Sequence, residues 1–516
     1  MDKKFLLALA LSISTLMLFH YFNKDAGQSQ PASIPTDVRP GQSYKVPTAQ
    51  DLARPINTEI DFVDKKITQK EEIKTVQTNL CNISFSNYGA VLSSIDFKKH
   101  LGKNKIPLRT IHHKGFYERE ESMFMLALQD KTPYFYNLVD VKDSQDNIEV
   151  SYQTEVDGWL IKKNYVLYKN SYKINLDLVF EPRKKEGSIR PRLFFNTPII
   201  GEIPGDVSSA FVVGVDGKKI NKISERELNN AWISPSLFGV EDKYFAHCLV
   251  DDANDFVQRA FLKSANKTIF PVLEGPEIKE KTDFNLSFYV GPKLVDDLMM
   301  VDDRLEGLLS FGWLSWLCKI FLKFLAYLFS LFKNFGVAII VFAILLKLPF
   351  LPFQVVTRKR MKEYQKYQPT IQRIRMKYRQ DARKQQEEIM KFHRDHNLSP
   401  ATPMIGCLPL LFQMPILFAL YRVLDGYLLL YQVPFFGWLT DLSSKDPYYI
   451  LPILMGLTMV WHQLISPMMD SKQRIAMLFM PVIVTYIFTN LPAGLVLYWL
   501  TNNVLMIGEE YIIKGF

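Results

Sequence analysis

Long apolar segments are concentrated at the two ends of the chain. The first is Phe5–Phe22, and beyond about residue 305 most of the chain consists of apolar segments separated by Pro, Gly and charged residues. A helix needs about 20 apolar residues to cross a bilayer. The pattern therefore predicts six membrane spans: Phe5–Phe22, Gly336–Val356, Met404–Leu428, Tyr448–Met468, Ile475–Asn490 and Ala493–Ile507.

The first apolar run admits two interpretations. Phe5–Phe22 is short and follows Lys3 and Lys4, as in a cleavable signal peptide. No A-x-A cleavage site follows it, however, so we favour an uncleaved anchor over residues 1–23. Residues 24–56 are polar and interrupted by Pro and Gly, which predicts a flexible linker.

The middle of the chain has the alternation of strands. Apolar residues recur at every second position along two runs: Tyr172, Ile174, Leu176, Leu178 and Phe180, and then Phe284, Leu286, Phe288 and Val290. Period-two alternation is typical of strands that bury one face. Residues 57–304 are therefore expected to form a mainly antiparallel β-sandwich domain.

A different apolar segment follows at 305–333. Gly312, Ser315, Lys319 and Lys323 recur at three- and four-residue steps and give the helix a narrow polar stripe. Such a helix is expected to lie along the membrane surface. The alternative is an extension of the next span, but residues 311–356 would form a helix of about 69 Å, over twice the hydrocarbon thickness.

Charge orients these segments. The 516-residue chain has a formal net charge of +9, with 48% hydrophobic and 22% charged residues. Residues 24–310 carry a net −3, whereas residues 311–516 carry 22 basic and 11 acidic side chains. Arg358–Asn397 alone holds 13 basic and 5 acidic residues, so the positive-inside rule makes it cytoplasmic, with both termini inside. Specific nucleic-acid binding is the alternative for this loop, but membrane orientation explains its charge without a further assumption.

Composition excludes several classes of protein. A chain with 37 Phe, 24 Tyr and only 4 Cys is not disordered, collagen-like or disulfide-dense. Cys81 and Cys248 could pair in an oxidising compartment, while Cys318 and Cys407 are expected to pack in apolar surroundings. No catalytic, metal-binding or nucleotide-binding signature occurs, so we expect no enzyme activity and no cofactor.

Lys347 is the residue that needs a functional explanation. It follows Gly336 by 11 residues and should lie about 16 Å into its span, near the midplane. Snorkelling to the interface is one explanation. Because Pro349 and Pro352 free backbone carbonyls at similar depth, we favour a hydrated cavity. No acidic residue is predicted at that depth, so the lysine is expected to be unpaired; Gln413, Thr489, Asn490 and Asn503 are candidate polar neighbours.

The basic loop has helical periodicity. Residues 357–399 predict a hairpin of two helices, with Pro369 bending or ending the first. Its candidate surface for anionic lipids consists of Arg358, Lys359, Arg360, Arg373, Arg375 and Lys377.

Four blocks carry a family resemblance: Tyr367–Gln372 (YQPTIQ), Gly406–Tyr421 (GCLPLLFQMPILFALY), Asp446–Gly456 (DPYYILPILMG) and Leu491–Trp499 (LPAGLVLYW). They resemble the YidC/Oxa/Alb family of membrane protein insertases, in its Gram-negative form with a large periplasmic domain. The resemblance implies a periplasmic β-supersandwich and, over residues 334–516, a core of five helices around a hydrophilic groove open to the cytoplasm and lipid.

Residue by residue, the resemblance gives several positions a role. Lys347 stands where the family usually has a groove arginine, and Ala343 where it often has a threonine. Lysine keeps the charge but loses the planar fork of arginine. Gln413 matches a groove glutamine; the matches to substrate-contacting apolar positions are Met414, Pro415, Tyr498 and Trp499.

The resemblance implies a membrane protein insertase and chaperone of the inner membrane that needs no nucleotide. Expected partners are nascent membrane proteins, the Sec translocon and anionic lipids, with the ribosome and the signal-recognition-particle receptor as further candidates. Three alternatives stay open: a secondary transporter, an intramembrane Ser/Lys hydrolase and a purely structural adaptor. Against the first two, no inverted repeat is visible and no serine lies between Ser330 and Ser399.

Overall fold

The computed structural model divides the chain into two compact units, Met1–Leu309 and Ser310–Phe516. It describes residues 70–102, 106–110, 123–128, 135–184, 187–198, 209–213, 220–223, 227, 230–265, 268–309, 314–396, 398, 408–431, 433–465 and 471–515. The predicted anchor Phe5–Phe22, the linker and Cys407 lie outside these ranges, as do the side chains of Arg358, Lys359 and Arg360.

The first unit is built from strands. They are β1 Ile73–Gln77, β2 Cys81–Ser86, β3 Val91–Leu101, β4 Pro107–Arg109, β5 Met125–Leu128, β6 Asn137–Asp143, β7 Asn147–Val156, β8 Trp159–Tyr168, β9 Lys173–Pro182, β10 Pro191–Phe194, β11 Ser209–Val213, β12 Asn221–Ile223, β13 Ala231–Ile233, β14 Leu237–Glu241, β15 Phe245–Asp252, β16 Arg259–Ala265, β17 Thr268–Glu274 and β18 Thr282–Pro292. Helix α1, Val295–Val301, and a 3₁₀ segment, Asp303–Leu309, follow.

The strands form three sheets. Their orders are β1-β2-β3-β4, β13-β16-β17-β10-β5, and β12-β11-β14-β15-β18-β9-β8-β7-β6. Neighbouring strands in all three pair antiparallel. Aromatic contacts join both smaller sheets to the large one: the rings of Phe85 and Tyr165 lie 4.9 Å apart, and those of Trp232 and Phe238 lie 5.5 Å apart.

The predicted alternation is confirmed in the largest sheet. All the apolar residues of the two predicted runs are buried; these runs lie on β9, with Tyr172 just before it, and on β18. The polar residues that alternate with them on β9 are more exposed. The two strands pair in register, with Leu178 opposite Phe284 and Ile174 opposite Phe288. Because the period is two, this register places both apolar sets on one face.

The buried cysteines of this unit are not bonded to each other. Cys81 on β2 and Cys248 on β15 are both free thiols. Burial raises the pKa of the Cys81 thiol to about 11 and that of Cys248 further. Both therefore stay protonated at neutral pH and serve as small apolar core residues.

Lys163 on β8 is fully buried and holds two turns in place. Its Nζ donates hydrogen bonds of 2.7 Å to the carbonyl oxygens of Gly89 and Phe124. Both of those residues have left-handed backbones, with φ of +71° and +69°. Burial lowers the pKa of Lys163 from 10.5 to about 7. A neutral amine still has two N–H donors, which match the two carbonyl oxygens.

This buried amine should make the stability of the β unit rise with pH. Between its folded pKa of about 7 and its unfolded pKa of 10.5, the unfolded chain holds a proton that the folded chain lacks. The free energy of unfolding therefore increases by up to about 1.4 kcal/mol per pH unit. Urea unfolding of a fragment covering residues 70–309 at pH 7.5 and 9 measures this rise. Lys163→Met should remove it, and an equal rise in both proteins would contradict the assignment.

The second unit is helical. Its helices are α2 Ser315–Phe332, α3 Phe335–Lys347, α4 Leu351–Lys377, α5 Ala382–Asp395, α6 Leu408–Gly426, α7 Ile450–Ile465, α8 Ser471–Phe488 and α9 Ala493–Gly515, with 3₁₀ turns at Leu348–Phe350 and Leu428–Leu430. Helix α9 packs against α3, α6 and α7, while α2 packs against α3 and α6. Cys318 of α2 is buried, and its Sγ lies 3.6 Å from the carbonyl oxygen of Ala419 in α6.

Helix α2 has both an apolar buried face and an apolar exposed face. It buries Cys318, Phe321, Leu322, Leu325 and Leu328 and exposes Trp316, Ile320, Tyr327 and Leu331. Within the described ranges it is the single helix long and apolar enough to cross a membrane; shorter apolar stretches are Phe335–Phe350, Ile450–Ile465 and Phe479–Phe488. The interfacial placement of 305–333 and the count of six spans stay predictions.

Helix α4 extends across the boundary predicted at residues 356 and 357 between the second span and the basic hairpin, and the membrane position of that boundary stays a prediction. Helix α3 ends at Lys347, a 3₁₀ turn containing Pro349 follows, and α4 then continues without a break from Leu351 through Pro369. Proline fits the start of a helix because its missing N–H is not needed there. Pro369 does not end α4.

Aromatic and histidine side chains form the contact between helices α4 and α5. Tyr364 and His393 stack with centroids 5.8 Å apart, and Tyr364 Oη lies 3.3 Å from His393 Nε2. Asp381 begins α5 by accepting hydrogen bonds from the amides of Arg383 and Lys384, each 3.1 Å long. The cytoplasmic location of this pair stays a prediction.

Candidate functional site

The candidate site lies where α3 ends against the last turns of α9. Lys347 is the final residue of α3, and its side chain is 8% exposed. Its Nζ lies 3.0 Å from Oε1 of Glu509, whose side chain is 11% exposed, and 3.4 Å from the carbonyl oxygen of Asn502. The lysine is therefore part of a mostly enclosed ion pair.

The predicted lack of an acidic partner for Lys347 is wrong. The sequence predicts that the last span ends at Ile507, but α9 continues to Gly515. Glu509 lies 16 residues after Ala493, the first residue of α9, which is about 24 Å along the helix axis. The overlooked signal is the apolar triplet Tyr511, Ile512 and Ile513 after the glutamates, which favours continuation of the helix.

The geometry of α9 explains why two residues seven positions apart reach one ammonium group. Helical carbonyls point toward the C-terminus, whereas side chains lean toward the N-terminus. The carbonyl oxygen of Asn502 and the carboxylate of Glu509 therefore approach each other along one face. Lys347 binds in the space between them.

Two other predicted groove residues join α9 to neighbouring helices. Gln413 of α6 donates from Nε2 to the hydroxyl oxygen of Tyr498, 2.7 Å away. Asn503 is 1% exposed and donates from Nδ2 to the carbonyl oxygen of Met455 and to Thr458 Oγ1, at 3.3 and 3.2 Å. Helix α9 thus makes polar contacts with α3, α6 and α7. We call Lys347, Glu509, Asn502, Asn503, Gln413 and Tyr498 the polar cluster.

Thr489 and Asn490 lie elsewhere. Both belong to the turn between α8 and α9, where Thr489 Oγ1 donates to the carbonyl oxygen of Tyr486 at 2.6 Å. The start of α9 is about 24 Å along the helix from Glu509. These two residues are therefore not brought together with Lys347.

The predicted apolar contact residues differ in exposure. Met414 and Pro415 of α6 are half-buried, and so is Trp499, whose ring packs 5.3 Å from that of Phe488. Tyr498 is only 1% exposed, so its ring faces the interior of the bundle rather than a free surface. Among the basic residues of α4, Arg373, Arg375 and Lys377 are exposed. No group of His, Cys, Asp or Glu that could hold a metal occurs in the described part of the chain.

Two family models match most of the chain. The model for the YidC periplasmic domain matches residues 74–324, and the model for the 60Kd inner membrane protein matches residues 327–516.

Full-length relatives agree with these matches. The chain is 31% identical over 548 residues to the membrane protein insertase YidC of Syntrophus aciditrophicus, covering 100% of this chain and 99% of that protein. It is 32% identical over 550 residues to that of Geotalea daltonii, with the same coverage. A crystal structure of an active YidC insertase aligns over 86% of this chain and 93% of the other, with 19% identity and a TM-score of 0.38, too low for a detailed comparison.

Proposed function

This chain belongs to the YidC family of membrane protein insertases, and we propose that it inserts nascent proteins into the membrane by way of the polar cluster on α9. Members of this family are inner membrane proteins with a periplasmic domain. The supporting observation is the position of Lys347, a charged residue at the end of an apolar helix, enclosed with other polar side chains. Polar groups at this depth are costly and usually line a hydrated path or bind each other.

The proposed route separates the two parts of a client. The hydrophilic flank enters the polar cluster, while the apolar span moves along the half-buried residues Met414, Pro415 and Trp499. The flank then crosses a shorter stretch of hydrocarbon. Burial of the client's own apolar span supplies the driving force, at about 25 cal/mol per Å² of apolar surface. No nucleotide is required.

Tyr498 has a different part in this route from the one that the family resemblance implies. Its hydroxyl accepts the Gln413 amide and its ring is buried, so it links α6 to α9 before a client arrives. A client that separates these two helices would expose the Tyr498 ring and free the Gln413 amide for its own polar groups. Met414 and Pro415 follow Gln413 directly on α6 and would move with it.

The membrane arrangement is also part of the proposal. We place both termini and the α4–α5 pair in the cytoplasm and the β unit in the periplasm. Six spans, a chaperone role and cooperation with the Sec translocon belong to the same arrangement. Exposed Arg373, Arg375 and Lys377 would contact anionic lipids, and the ribosome or the signal-recognition-particle receptor would dock on the same helices.

Reconstitution tests the function. The full chain is purified into liposomes without nucleotide, and a small single-span client is supplied during its synthesis. Protease protection of the client's translocated flank measures insertion. The proposal expects protection well above that of empty liposomes, whereas equal protection would leave a structural adaptor as the better assignment.

A further inference from the structure

The ion pair between Lys347 and Glu509 changes the charge that a client would encounter. The two atoms lie 3.0 Å apart and both side chains are almost enclosed. The pair as a unit has no net charge, so its field weakens with distance faster than that of either ion alone. A lysine alone would favour acidic client segments, whereas the pair gives neither sign of charge an advantage.

The contact is a property of this chain's last helix. Glu509 reaches Lys347 because α9 continues without a break to Gly515. Gly508, the residue before it, has no neighbouring atom within 4 Å of where a Cβ would stand, so this turn is not packed tightly from that side.

We propose that Glu509 is the specificity-determining residue for client charge: it neutralises Lys347 and makes insertion insensitive to the sign of charge on the translocated flank. This proposal rests on the insertase function proposed above. An acidic flank must displace Glu509 to reach Lys347, and a basic flank can bind Glu509 in place of Lys347. The two halves of the pair thus serve clients of opposite charge.

Three single-span clients test this, identical except for two Asp, two Asn or two Lys residues in the translocated flank. The full chain and its variants are reconstituted in the same liposomes, and the ratio of acidic to basic client inserted is measured. Glu509→Gln removes a negative charge 3.0 Å from Lys347, so the ratio should rise about tenfold over the wild-type value. Lys347→Gln should lower it about tenfold, because the enclosed carboxylate then repels acidic flanks.

The double variant K347Q/E509Q should return the ratio to within about twofold of wild type, because neither charge remains. Gly508→Ala, on the same turn, should leave it unchanged. If Glu509 only holds α9 against α3, both single variants would lower insertion of all three clients together and the ratio would stay constant, which overturns the inference. Failure of the wild-type chain to insert any client would instead overturn the proposed function, and this inference with it.

Discussion

Insertion of a single-span client should fall at least about tenfold when Lys347 is replaced by leucine, and should stay near the wild-type level with arginine. Leucine removes the ammonium 3.0 Å from Glu509 and leaves that carboxylate enclosed without it. Breaking a buried ion pair by removing one partner costs about 3–5 kcal/mol. Arginine keeps the charge and can bind the carboxylate with two N–H groups. Protease protection of the client in liposomes gives the measurement.

A second variant separates lost stability from lost function. Replacing both members of the pair, K347L/E509L, removes the carboxylate together with the ammonium, and such apolar replacements are often neutral or stabilising. The thermal midpoint in detergent should therefore recover. Insertion should stay low, because two apolar side chains no longer offer a hydrated site for a polar flank. Wild-type insertion by either leucine variant would contradict a role for this site.

Gly336→Ala should lower both the thermal stability of the helical unit and insertion. A Cβ at residue 336 would overlap the ring of Phe435, closest to Cδ2, at a distance that real Cβ atoms do not adopt. Phe435 lies in the segment between α6 and α7, and its backbone is held by hydrogen bonds from its N–H to Leu439 at 2.9 Å and from Asn334 Nδ2 at 3.4 Å. Either that segment or the start of α3 must move, at a cost of about 1–3 kcal/mol or more.

The cause of this loss can be checked within the chain. Phe435→Ala removes the ring that the new methyl group would strike, so G336A/F435A should recover part of the thermal midpoint lost in G336A alone. Gly508→Ala adds the same methyl group where nothing lies within 4 Å and should leave the midpoint unchanged. Equal midpoints for G336A and G508A would show that the close approach of Phe435 to α3 is not present in solution.

The β unit could be predicted from the sequence because its signal is local. Alternate apolar residues on β9 and β18 indicate which face of each strand is buried, and the same face is buried in the structure. The sheet order and the buried donor role of Lys163 could not be predicted. Lys163 bonds to residues 74 and 39 positions away, and nothing near it in the sequence indicates those carbonyl oxygens.

For the helical unit, the sequence predicted where most helices lie but not where all of them end. Apolar composition located α3, α6, α7, α8 and α9 to within a few residues at most ends, but it could not tell where a helix continues beyond the apolar stretch. Helix α4 runs through Pro369, and α9 runs through Glu509. Because the sequence predicts that the last span ends at Ile507, it places Glu509 outside that span and gives Lys347 no acidic partner.

Crosslinking to a client halted during insertion tests whether the client's polar flank enters the polar cluster. Asn502 is half-buried, and its carbonyl oxygen lies 3.4 Å from Lys347 Nζ. A photo-reactive residue at position 502 should therefore crosslink to the client's polar flank. The same group at Leu457, 61% exposed on α7, should not crosslink to that flank. If position 502 yields no client crosslinks while the client still inserts, the polar cluster is not the route.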